Sequence, residues 1–254
     1  MKGLSFNFLS EYFPLFIEGL LWTLLIALLA VIFGVILGSI LCFMKKSKFI
    51  ILRAIANIYI EIVRGTPVLL QVYIVYFGLT AFGIKLGAFT SAIIALSVNS
   101  AAYVAEIIRS GIEAVDSGQM EAARSLGMTS KMAMFNIILP QAIKNILPAI
   151  GNEFVAVIKE SSMASVIGVA EIMYASKIVT GATYRSMEPL MIAAIFYFIL
   201  TFTLGRLMGY LERRLRHLKK VDFPEPDGPI TTTTSPLFMC SLIPFKTSFF
   251  PKLL

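Results

Sequence analysis

A chain of 254 residues that is 57% hydrophobic and only 15% charged cannot hide its apolar side chains in one soluble core. Several stretches reach the ~20 apolar residues that cross a bilayer, so an integral membrane protein is expected and a water-soluble globule is excluded. The 22 Lys and Arg against 15 Asp and Glu give a net charge of +7; basic loops on one membrane face are its simplest source, and no nucleic-acid partner is expected.

The predicted elements follow in chain order. Residues 1–14 form a short amphipathic segment with Phe6, Phe8, Tyr12 and Phe13, suited to a membrane interface, where aromatics collect. No cleavable signal is expected, because the first apolar run is too long and lacks a basic start. The first span runs from Leu15 to about Phe43, and its Gly34 and Gly38 have the small-xxx-small spacing of a helix-packing face. Residues 50–64 are weakly amphipathic, and they fit either a helix on the membrane surface or the lower part of the second span. Arg64-Gly65-Thr66-Pro67 then interrupts the helix, since proline lacks a backbone donor and pushes the preceding residue out of the helical region. Thr66 and Pro67 are therefore read as a hinge or gate. The second span continues from Val68 to about Phe82, the third covers Ala88 to Ile108, the fourth Gln141 to about Val157 and the fifth Leu190 to about Tyr210.

The fold expected is all-α, with five transmembrane helices and the termini on opposite faces. Thirteen Lys and Arg flank one face: Lys45, Lys46, Lys48 and Arg53 after span one, Arg109, Arg124, Lys131 and Lys144 after span three, and five between Arg213 and Lys220. Four flank the other: Lys2, Lys85, Lys177 and Arg185. This asymmetry puts the N-terminus outside and the C-terminus in the cytoplasm. Residues 15–220 form the transmembrane domain. Residues 221–254 hold six of the eleven prolines and a run of four threonines, and this atypical tail is expected to be disordered.

The polar stretch 121–140, EAARSLGMTSKMAMFNIILP, falls in the cytoplasm on this topology. Asp116 and Gln119 have capping-box spacing, so a helix is expected from Ser117. Gly127 suits a helix C-cap, Thr129 or Ser130 a second N-cap, and Pro140 the first turn of span four. The result is two short helices joined at a glycine. Ala122 and Ala123 let a partner approach closely, Glu121 offers one directed charge, and Met120, Met128, Met132 and Met134 give a pliable apolar face. An ordinary amphipathic connector is the competing reading.

Within the spans, Glu106 and Glu153 are costly at membrane depth and should face the interior or a water-filled cavity. Asn99, Tyr103 and Glu106 lie at spacings of four and three on one helical face, with Asn152 next to Glu153. These five residues are candidates for a substrate pocket, in which carboxylates and carbonyls would hold a cationic group and amide or hydroxyl donors an anionic one; two acids lean toward a polar or basic substrate. Helix–helix hydrogen bonding competes as a role for Asn99 and Asn152, and an ion pair with Arg109 or Arg64 competes for Glu106. No phosphate loop of the form G-x4-G-K-[ST] is present. A metal site, a catalytic Ser/His/Asp set and a disulfide framework are not expected from one histidine, His217, and two cysteines. The chain is not read as an enzyme.

The pattern EAA-x3-G-x9-I-x-LP over 121–140 resembles the signature loop of the membrane subunits of ABC importers. EIVRGTPVLLQVYIVYFGL (61–79), AYVAEIIRSGIEAVDSGQMEAARSLG (102–127) and LPAIGNEFVAVIKESSMASVIGV (147–169) are similar to the polar amino acid branch of those permeases, over about residues 10–220. The resemblance implies a multi-pass inner-membrane subunit, working as a homo- or heterodimer with a second permease, two ATPase subunits and an extracytoplasmic amino acid binding protein. It implies that Glu121, Ala122, Ala123 and Gly127 couple to the ATPase, that ATP and Mg are bound by that partner with no cofactor in this chain, and that transport proceeds by alternating access. An ion-coupled secondary transporter using Glu106 and Glu153 is the alternative; inverted repeats would be expected there, and none is seen.

Overall fold

The computed structural model describes residues 4–219. The expected tail, 221–254, lies outside the described residues. Among those described the secondary structure is entirely helical. Helix α1 covers Leu9–Lys45. It starts earlier than the sequence suggested, with Pro14 lying inside the helix rather than before it. Helix α2 covers Ile50–Gly65, α3 Val68–Tyr73 and α4 Leu79–Ala81, with a π turn at Ile74–Gly78 between the last two. Helix α5 covers Ala88–Glu113. Next come α6 (Ser117–Ser125) and α7 (Ser130–Ala133), a π turn at Met134–Ile138, and α8 (Leu139–Glu160). A 3-10 stretch, Ser161–Ile167, leads to α9 (Ile172–Thr183) and α10 (Met187–Lys219).

Four stretches are long and apolar enough to cross a membrane: Leu9–Lys45, Ala88–Glu113, Ser130–Ile167 and Met187–Leu215. A fifth is reached if α2 and the 68–81 segment count as one broken span, bent by 108°. The bend falls at Thr66-Pro67. Both residues are extended there, with ψ of 145° and 137°, and the Thr66 hydroxyl donates back to the Ile62 carbonyl at 2.9 Å. Thus 50–64 does not continue the second span in a straight line.

The centre of the bundle is α5. Its crossing window is 61% buried, against 33% for α1 and 11% for α10. The reason is its small residues: Ala92, Ala95, Ala101, Ala102, Ala105 and Gly111 are all buried, and small side chains let helix backbones approach where lipid supplies no hydrophobic drive. Gly34 and Gly38 of α1 complete the seam, as their spacing suggested. A Cβ on Gly34 would stand 2.8 Å from Ser100 Oγ, and one on Gly38 would stand 2.8 Å from the Ala101 carbonyl. Around this seam Ile26, Ala27, Ala30, Leu96, Val72, Val157 and Ile158 form the main apolar cluster. A second cluster joins Phe16 of α1 to Ile172, Ala175 and Val179 of α9 and to Ile192 and Ala193 of α10.

Candidate functional site

Two regions carry the polar chemistry, and α5 connects them. The first is the 114–138 segment between α5 and α8. Asp116 caps α6, its carboxylate accepting from the Gly118 amide at 2.6 Å. Helix α6 ends in a left-handed turn at Gly127, φ +83°, with the Met128 amide bonded to the Ala123 carbonyl at 3.1 Å. A side chain would strain this backbone, so the glycine is required by the turn itself. Thr129 caps α7 by accepting from the Met132 amide at 3.3 Å, and Arg124 reaches across the turn to Ser130 Oγ at 2.6 Å. The expected start, stop and second cap are all present.

The second short helix is not separate, however. Helix α7 runs through the π turn directly into α8, so Ser130–Ile167 is one long rod. Pro140 does not break it, because the wider π turn just before accommodates the missing donor. The alanine pair also divides. Ala122 is exposed while Ala123 is buried at 1%, so Ala123 seats α6 on its own chain. Glu121 and Gly127 are exposed. Beside them stand Leu126, Met132 and Phe135, exposed at 79%, 50% and 63%, an apolar face to which sequence reasoning had contributed only the methionine. One bond ties this segment to α8, Gln141 Nε2 to Gln119 Oε1 at 3.4 Å, and beside it Asn145 Nδ2 of α8 donates to the Gly111 carbonyl of α5 at 3.3 Å.

The second region is the polar face of α5, whose three members have different surroundings. Asn99 is buried and donates to Gln71 Oε1 at 3.0 Å; its own carbonyl oxygen has no hydrogen-bond partner among the described residues. Gln71 in turn donates to the Val63 carbonyl at 2.8 Å and to the Thr66 hydroxyl at 3.0 Å. Asn99 is thereby wired to the Thr66-Pro67 bend. Gln71 was missed in the sequence, although it is a lone amide in an apolar run. Tyr103 lies under Arg64, whose guanidinium carbon is 5.3 Å from the ring centroid. That geometry is a cation–π contact.

Glu106 is engaged in an ion cluster. Lys45 Nζ of α1 donates to its Oε1 at 2.6 Å, and Arg109 Nε and Nη2 donate to its Oε2 at 3.0 and 2.9 Å. Arg109 also pairs with Glu113. The competing reading of Glu106 as an ion-pair residue therefore describes its surroundings, with Lys45 as a partner the sequence did not suggest. On α8, Glu153 is half-buried and faces the Ser100 hydroxyl, whereas Asn152 is exposed on another side of the helix. The five pocket candidates thus form no single cluster within one chain: Asn99 is bonded to Gln71 of α3, Glu153 faces Ser100, and the rest do not join them.

A further buried acid was not singled out from sequence. Glu171, fully buried, caps α9 by accepting from the Met173 and Tyr174 amides at 2.9 and 2.7 Å, and the Tyr197 hydroxyl of α10 donates to it. Burial pushes its carboxyl above the usual range, while the tyrosine and amide donors oppose that shift. The adjacent Ile172 amide donates to Thr23 Oγ1 at 3.3 Å. Through these contacts α1, α9 and α10 meet at one point. Its position immediately before an amphipathic helix was the available signal.

The comparisons agree with this architecture. Residues 30–217 match the family described as binding-protein-dependent transport system inner membrane component. The arginine transport system permease protein ArtQ of Bacillus subtilis (strain 168) is 44% identical over 215 residues, covering 84% of this chain and 98% of that protein. A relative from Rickettsia conorii (strain ATCC VR-613 / Malish 7), 42% identical over 214 residues and covering 83% and 98% of the two chains, is named for glutamine transport. A chain from the crystal structure of an amino acid ABC transporter with histidines superposes with a TM-score of 0.82 at 50% identity, over 84% of this chain and all of that one. A chain of the inward-facing MetNI methionine ABC transporter shares the fold alone, with a TM-score of 0.67 at 19% identity over 84% and 99%. The chain belongs to the family of binding-protein-dependent transport system inner membrane components, as a permease subunit of an ABC importer.

Proposed function

We propose that this permease translocates a polar amino acid delivered by an extracytoplasmic binding protein, driven by ATPase subunits that dock on the 117–135 segment. The carrying observation is the form of that segment. It presents Glu121 on the capped helix α6, the exposed Leu126 and Gly127 in the turn after it, and the exposed Met132 and Phe135 at the start of the 130–167 rod. An exposed apolar face of this kind, rimmed by one acid and several bases, suits a partner groove. The Lys and Arg asymmetry supports a cytoplasmic location for it and an outside N-terminus. Residues 15–220 act as the transmembrane domain.

Movement received at α6 passes into α5 directly and into α8 through Gln119–Gln141 and Gly111–Asn145. The translocation path runs along Asn99, Gln71 and Glu153, with the Thr66-Pro67 bend as its gate, because the unpartnered Asn99 carbonyl and the Glu153 carboxyl are acceptors suited to an ammonium group. Tyr103, Arg64 and Asn152 border that path. Glu106 instead braces α1 against α5. The weakly buried α10 and α8 supply the face on which a second permease, identical or homologous, completes a dimer. An amino acid substrate is supported by the relatives named for arginine and glutamine transport.

The test is reconstitution with the ATPase subunits and binding protein of the same importer, followed by ATP-dependent uptake of labelled amino acids. Glu121→Lys is expected to cut uptake at least tenfold while the chain stays in the membrane, and Glu153→Gln to alter substrate preference with ATPase assembly intact. Uptake that continues without the ATPase and collapses with an uncoupler would refute the proposal.

A further inference from the structure

At the opposite end of α8 from the ATPase-facing segment, the turn between α9 and α10 shows an unusual economy. Helix α9 ends on Tyr184, which has φ +54° and ψ 27°. It is the one non-glycine with positive φ among the described residues. Glycine is the usual occupant of such a helix-ending position, and a bulky side chain there is strained. Among the described residues nothing packs over it to compensate: the Tyr184 side chain is 93% exposed.

The turn beneath it is held firmly. Arg185 Nη1 donates to Glu188 Oε1 at 2.9 Å and to the Ser5 carbonyl at 3.3 Å, and the Ser5 amide donates to the same Glu188 oxygen at 3.4 Å. Glu188 itself is buried at 7%. These bonds clamp the N-terminal segment to the turn and place further exposed apolar groups on it: Leu4 and Met187, each 61% exposed. Gly181 and Ala182, in the last turn of α9, are also exposed and raise no bulk of their own. An aromatic ring is therefore displayed on a rigid pedestal with open approach.

Strain retained at a surface position where glycine would relax it points to a use for the side chain. Membrane anchoring by interfacial aromatics requires no particular backbone conformation. The turn also precedes the apolar run of α10, which begins at Leu190, by a stretch containing the Arg185–Glu188 pair. We infer that Tyr184 is an anchor for the extracytoplasmic binding protein on which this family depends, its ring entering an apolar slot on that protein with Leu4 and Met187 at the rim. This rests on the proposed orientation, in which the α9–α10 turn lies outside. Tyrosine suits the role, because it gives large contact area for few frozen torsions.

The test substitutes Tyr184→Gly in the reconstituted importer and measures ATP hydrolysis as liganded binding protein is added. Glycine suits this backbone, so thermal stability should hold or rise. The half-saturating concentration of binding protein should rise roughly 10-fold, with the maximal rate kept. Tyr184→Asn should match it, since asparagine tolerates the same conformation, and Tyr184→Phe should stay near wild type. A half-saturating concentration within twofold of wild type for the glycine variant overturns the proposal. So does a variant whose only change is in lipid retention or in permease dimerisation. Orientation is read separately with Tyr184→Cys and a membrane-impermeant maleimide. Labelling from the cytoplasmic face overturns the topology along with the anchor. Labelling from outside with unchanged half-saturation overturns the anchor alone.

Discussion

Replacing Gly38 by alanine tests whether the α1–α5 seam is the rigid element of this permease. The added Cβ would stand 2.8 Å from the Ala101 carbonyl oxygen and 2.9 Å from Val104 Cβ and Cγ1. Carbon atoms rest at roughly 3.5–4.0 Å, so the shortfall against Val104 is at least ~0.6 Å. Ala101 offers backbone rather than a rotamer that could swing away, so relief requires the two helices to move apart. Overpacking of this kind costs about 1–3 kcal/mol. Alanine also favours a helix over glycine by up to about 1 kcal/mol, which would blur the result if Gly38→Ala were compared with wild type alone. Gly205→Ala is the proper reference, because Gly205 lies within α10 with nothing within 4 Å of its added Cβ. Both variants gain the same propensity, and their difference isolates the clash. At about 2–4 °C per kcal/mol for a chain of this size, a 2 kcal/mol clash places Gly38→Ala ~4–8 °C below Gly205→Ala. Heat-induced aggregation in detergent, followed by fluorescence-detected size exclusion, reads this out. Midpoints within ~1 °C of each other would refute the seam as described.

Two further outcomes follow from the buried polar contacts. Lys45→Met and Glu106→Gln should each lower thermal stability, and the double variant should lose less than the sum. The coupling should be on the order of 1 kcal/mol, because both partners keep some exposure to solvent; strict additivity would show that the pair does not brace α1 against α5. Glu171→Ala removes the α9 cap, worth about 1 kcal/mol, and leaves the Tyr197 hydroxyl without its acceptor, worth about 1–3 kcal/mol. Adding Tyr197→Phe should recover part of the loss in the same melting assay, and no recovery would show that the hydroxyl finds another partner.

The features legible in the sequence are those governed by neighbours along the chain. Apolar run length marked the spans, Asp116 and Gly127 marked the two ends of α6, and the Gly34/Gly38 spacing marked the packing face. Pro67 marked the bend, though not its angle. What escaped depends on residues distant in sequence. Lys45 and Glu106 are separated by 61 positions, and Gln71 and Asn99 by 28, so no periodicity links them. Helical spacing grouped Asn99, Tyr103 and Glu106 correctly on α5, but it could not say that amide, guanidinium and ammonium groups from α3, α2 and α1 would each take one of them. The continuity of α7 with α8 was hidden for a different reason: a π turn carries no residue signature comparable to a cap, and Pro140, which does stand in the first turn of α8, gave no sign that the helix was already under way before it. Burial of Glu171 was likewise invisible, since an acid before an amphipathic helix looks like a solvated cap until Tyr197 closes over it.

The composition of α5 has a consequence for how the protein is made. Its buried face holds Ser91, Ser97, Asn99 and Ser100, groups that lipid cannot satisfy. The helix is therefore a poor candidate to sit alone among acyl chains as it leaves the ribosome. Helix α1, strongly apolar along its middle and notched by Gly34 and Gly38, is synthesised before α5 and offers the surface that α5 lacks. The order of the genetic message thus doubles as an order of assembly: an independent first helix waits in the bilayer, and the dependent one inserts against it.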